Sequence, residues 1–85
     1  MIADQRPLVL AIVDALLVLE HSSDSEIDPD TAVRAMESIA HSLHGLTDED
    51  QAAIRAEFED IANESGDSPY STFVAALGDM LGLKA

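Results

Sequence analysis

Two stretches of the chain carry residue types that can ligate a metal ion. In DSEIDPD, residues 24–30, the carboxylates Asp24, Glu26, Asp28 and Asp30 alternate through a loop-forming run. A calcium loop of the EF-hand type uses such alternation, but it also needs Gly at its sixth position and a bidentate Glu at its twelfth. Counted from Asp24, those positions hold Pro29 and Ala35. The run is therefore expected to be a solvated loop whose last acids cap the following helix. The second stretch is HSLH, which sets His41 and His44 three apart on the side of Glu37. Two imidazoles and a carboxylate suit zinc or iron. No further ligand is paired with them, however, and a helix dipole alone favours histidine near a helix C-terminus. No metal site is assigned.

Nucleophilic catalysis has no cue. The chain has no cysteine and no G-x-S-x-G elbow, and the serines of HSSDS and SPYS fall where caps and loops want serine. Acids such as Glu57 and Asp60 are expected on an exposed helical face, where nothing raises a carboxyl pKa. No phosphate-binding or dinucleotide fingerprint occurs. The expectation is a protein without catalytic residues and without a cofactor.

Charge says more. Seventeen acids oppose four bases, for a formal charge of -13. Such a field repels nucleic acid and anionic membrane, and it accelerates encounter with a basic protein. Within the stretch 48–64, Asp48, Glu49, Glu57, Glu59, Asp60 and Glu64 spread over more than half of a helical circumference, with Arg55 the only cation. These six residues are the expected partner-binding face, where a partner's arginines would form charge-assisted pairs with carboxylates. Two functions fit. The first is a non-catalytic acidic interaction module, an inhibitor or immunity-type protein that masks the basic surface of a nuclease or DNA-binding protein. The second is a structural or regulatory helical homodimer whose acidity serves only solubility.

The elements that must position these residues are helices. Proline and capping residues punctuate four of them. The first runs from about Leu8 to Glu20, with Pro7 near its first position, where the missing N–H costs nothing. The second covers 29–44, capped by Asp28 or, one turn later, by Asp30, and stops before Gly45. The third covers 48–64, with Thr47 able to cap the N–H of Asp50 and Gly66 as a stop. The fourth covers 69–82, with Ser68 as cap and Pro69 first. Lys84 lies near the C-terminus of that helix, where a cation suits the dipole. No run alternates with the period of a strand. The fold class is all-α: one domain, a small antiparallel four-helix bundle of three longer helices and one shorter. Phe58, Tyr70 and Phe73 are the only aromatic residues, so the core must be aliphatic. Ile54, Phe58, Ile61 and Ala62 form the stripe of the third helix. Tyr70, Phe73, Val74, Leu77, Met80 and Leu81 form that of the fourth.

The first helix is apolar nearly all round: between Leu8 and Leu19 only Asp14 is polar. On a helical wheel, Leu8, Ile12, Ala15, Leu16 and Leu19 share one arc, the expected core face. Leu10, Val13 and Leu17 point elsewhere and are expected to form an apolar contact with another chain, most simply a second copy in a homodimer. A membrane span is not expected, because Leu8 to Leu19 reaches roughly 18 Å against about 30 Å of bilayer hydrocarbon. Nor is an export signal, since Asp4 and a single Arg6 precede the apolar stretch. A small domain without cysteine fits the cytoplasm.

In length, acidity and helical class the chain resembles colicin-type nuclease immunity proteins, and DSP before the last helix is similar to their pattern. Their Tyr-Tyr segment is absent. It is also similar to acyl carrier proteins in size, acidity and four-helix form. Those carry their prosthetic group on the Ser of Asp-Ser-Leu near mid-chain, whereas Asp67-Ser68 here is followed by Pro69 near the end.

Overall fold

The structure is a computed structural model that describes residues 5–85. Asp4, used above against an export signal, lies outside them. Four helices follow in order: α1 (Arg6–His21), α2 (Pro29–His44), α3 (Asp48–Glu64) and α4 (Pro69–Met80). No strand occurs among the described residues. The shortest helix is the last, at 12 residues against 16, 16 and 17.

Three of the four N-termini are built by the residue types that mark them in the sequence. The Asp28 carboxylate accepts from the Thr31 N–H at 3.1 Å, with Pro29 as the first helical residue. Thr47 Oγ1 accepts from the Asp50 N–H at 3.1 Å, and Asp48, Glu49 and Asp50 sit in the first turn against the positive end of the dipole. Ser68 Oγ accepts from the Ser71 N–H at 3.1 Å ahead of Pro69. In the loop before α2, the Glu26 carboxylate accepts from both the backbone N–H and the hydroxyl of Ser23, each at 3.0 Å. These bonds, the backbone one foremost, hold the Glu26 carboxyl below its ordinary pKa.

The most extensive helix contact is α3 against α4, and α1 packs on α2 and α3, a pattern compatible with a bundle. The core comprises Val9, Val13 and Leu16 of α1, Ile54, Phe58, Ile61 and Ala62 of α3, and Val74 and Leu77 of α4. Leu81 and Leu83, beyond α4, complete it. The second helix contributes less: Ala32 is buried, while Met36, Ile39, Ala40 and Leu43 are half-buried and Val33 is exposed.

The fourth helix ends earlier than residue 82. Gly82 takes φ +66, its N–H donates to Asp79 O at 3.1 Å, and the Leu83 N–H donates to Gly78 O at 3.0 Å. This is a Schellman ending, in which the residue after the left-handed glycine folds back onto the helix. It drives Leu83 into the core and leaves Met80 exposed.

Candidate interaction surfaces

On α1 the packed arc is turned by roughly a quarter of the wheel from the expected one. Val9, Val13 and Leu16 face inward, and Val13 is 0% exposed. Val13 is thus a core residue of the single chain and cannot form an intermolecular face. Leu17 is half-buried, and Leu10 is 37% exposed at the edge of the packed arc. Leu8 and Ala15, expected inside, are exposed instead. The physical reason is that a helix apolar on every side has no unique phase, so its rotation follows the grooves offered by α2 and α3. The surplus of apolar surface persists but moves: Leu8, Ala11, Ala15 and Val18 now face outward, with Asp14 between them.

Beside this face, Leu17, His21, Pro69, Tyr70 and Phe73 line a shallow groove of about 290 Å³ between the end of α1 and the start of α4. The His21 ring meets Phe73 edge-on, with centroids 5.5 Å apart. The groove has the size and lining for an apolar side chain.

The acidic face of α3 is real but smaller than the sequence implies. Asp48, Glu49, Glu59 and Asp60 are exposed. Glu57 and Glu64 are occupied by Arg6 of α1, whose guanidinium pairs with the first at 2.6 Å and the second at 3.0 Å. Those carboxylates, Glu57 foremost, raise the Arg6 pKa above its ordinary value. Between the acids at the two ends of the helix lie three alanines, Ala56 exposed and Ala52 and Ala53 half-buried. Arg55 points the other way, pairing with Asp79 and donating to Leu83 O at 2.9 Å.

The histidines do not converge. His41 is exposed, whereas His44 Nε2 lies 2.7 Å from Leu81 O. A carbonyl can only accept, so that nitrogen carries the proton. No group of three or more metal-ligating side chains occurs among the described residues. Two of the serine hydroxyls serve the fold: Ser71 Oγ of α4 donates to Ala62 O of α3 at 2.7 Å, and Ser23 Oγ donates to Glu26 within its loop. No helix among the described residues is long and apolar enough to cross a membrane.

A clasp on the C-terminal segment has no local signal in the sequence. His44 holds Leu81 O, and Arg55 holds Leu83 O. Gln51, buried on α3, accepts the Lys84 N–H at 3.3 Å and donates to Leu46 O at 3.1 Å and His44 O at 3.3 Å. The closeness of α3 to α4 depends on Gly78, where a Cβ would lie 2.7 Å from Arg55 Cγ.

Comparison with known proteins adds no name to these surfaces: no family model matches the chain, nor does any curated protein or solved structure.

Proposed function

We propose that this protein is a non-catalytic interaction module that uses the outward face of α3 to bind a basic protein. It would mask the phosphate-binding surface of a nuclease or DNA-binding protein in the cytoplasm. One observation carries the reading: Asp48, Glu49, Glu59 and Asp60 are exposed on a face where Arg55 is turned away. The alanines between them keep the surface low, so that long basic side chains can reach the carboxylates from outside. Charge-assisted pairs at such a face give fast, salt-sensitive association.

The test separates this face from net charge. Glu59→Lys with Asp60→Lys changes the formal charge by as much as Asp24→Lys with Asp30→Lys. Each protein is used to capture basic proteins from a cell lysate at low salt. The α3 pair is expected to lose the bound partner at least tenfold, and the loop pair to keep it. Elution near about 0.5 M salt is expected, where the Debye length has shrunk to a few ångströms. Equal loss from both pairs, or a partner indifferent to salt, defeats the reading.

A further inference from the structure

We infer that the outward face of α1 joins two copies of this chain, antiparallel, about a two-fold axis level with Val13. Leu8, Ala11, Ala15 and Val18 follow one another at spacings of three, four and three along that face. Leu8 is 56% exposed and Val18 57%. The sizes read the same in both directions: large, small, small, large. When two such helices run antiparallel about residue 13, Leu8 of each meets Val18 of the other, and Ala11 meets Ala15. A two-fold contact requires this reciprocity. The alanines let the backbones approach toward the short end of the usual helix spacing of about 8–10 Å, while the larger side chains close both ends.

Charge identifies the occupant. Each copy carries -13, so two copies repel over most of their surface. They can meet only across a face nearly free of carboxylates, and a basic partner has no reason to choose that face. Asp14 is the single charged residue that α1 places within it, and Glu26 of the following loop stands at its Val18 end. The two-fold axis places both Asp14 side chains on the same edge of the contact, one residue from the axis, where they oppose association. In extent, α1 is 16 residues long. A strip one helix wide over about 24 Å reaches at most the lower limit of specific interfaces, about 1,000 Å² in total. The dimer is therefore reversible. Because the strip lies on the side of α1 turned away from α3, its use leaves the acidic face open.

Sedimentation equilibrium of the full chain, from low to high micromolar, tests this. The mass is expected to rise from 9.1 kDa toward twice that value, more steeply at about 0.5 M salt than at low salt, because screening relieves the repulsion. Ala15→Glu should stay monomeric at every concentration with its helical circular dichroism unchanged. Asp14→Asn should tighten association about two- to fivefold. Register is read from disulfides, since the chain has no cysteine of its own. A mixture of Leu8→Cys and Val18→Cys chains should cross-link, and neither alone. A constant 9.1 kDa mass overturns the inference, as does a dimer indifferent to Ala15→Glu. Cross-linking of Leu8→Cys chains among themselves overturns the antiparallel register. Salt strengthens this contact and weakens binding of a basic protein, so the two fail separately.

Discussion

Gln51 is 4% exposed in an otherwise apolar core. It is tolerated there because both its amide donors and its carbonyl have partners: Leu46 O, His44 O and the Lys84 N–H. Gln51→Leu keeps the volume and adds apolar burial, a gain of about 1 kcal/mol. It also strands two carbonyls and an N–H, at about 1–3 kcal/mol for each group that water cannot reach. A net loss of about 2 kcal/mol is expected, read as a lower denaturation midpoint at unchanged m-value. A Gln51→Leu protein as stable as the parent would show that water already serves those groups. Nothing in the sequence marks this residue. Within DEDQAA a glutamine reads as one more solvated helix position, and one of its partners stands 33 residues away. The role of His44 is hidden for the same reason, because Leu81 is 37 residues on.

At the scale of elements, what was local was legible. Asp28, Thr47 and Ser68 cap their helices as their types and the following Pro or acids indicate, because each cap is a contact within three residues. The stripe Ile54, Phe58, Ile61, Ala62 also faces inward as its spacing requires. The rotation of α1 was not legible. An amphipathic helix announces its phase through its polar side, and here Asp14 alone breaks the apolar run, so Val13 and Leu8 exchanged places between core and surface. The early end of α4 has a local signal in Gly82: a glycine just past the helix C-cap with a leucine after it is the pattern of a left-handed stop. Gly82 tests the energetics of that stop. A methyl group there would rest 3.4 Å from His44 Nε2, an ordinary contact, so Gly82→Ala costs only the left-handed backbone, about 1–2 kcal/mol. The expected signature is a lower melting temperature together with faster amide exchange at Leu83, whose N–H bond to Gly78 O depends on the turn. Unchanged exchange at Leu83 would mean that its apolar burial holds the segment without the glycine.

At the scale of the whole molecule, the extents of 38 × 31 × 20 Å describe a slab two helices thick. Every helix in such a slab has a side in water, and each of the four exposes at least one carboxylate there, Asp14, Glu37, Glu59 and Asp79 among them. Arg6 offsets Glu57 and Glu64, and Arg55 offsets Asp79, but surface pairs of this kind contribute weakly. The remaining carboxylates repel one another in the folded chain more than in the expanded one. Salt screens attraction and repulsion alike, so the sign of its effect on stability reports which is larger. With seventeen acids against four bases, repulsion is larger, and the melting temperature at pH 7 is expected to rise between about 20 mM and about 0.5 M sodium chloride. A relief of about 1 kcal/mol corresponds to roughly 4–8 °C for a domain of this size. The measurement is made on the monomeric Ala15→Glu protein, so that association does not raise the midpoint by mass action. A falling midpoint would show that the bridges from Arg6 and Arg55 outweigh the repulsion, and the charge argument for both surfaces would weaken with it. A rising midpoint would place three expected responses to one variable side by side: salt stabilising the fold, strengthening the proposed α1 contact and releasing the proposed basic partner from α3. Only the last rests on electrostatic attraction across an interface, which is why its sign alone is reversed.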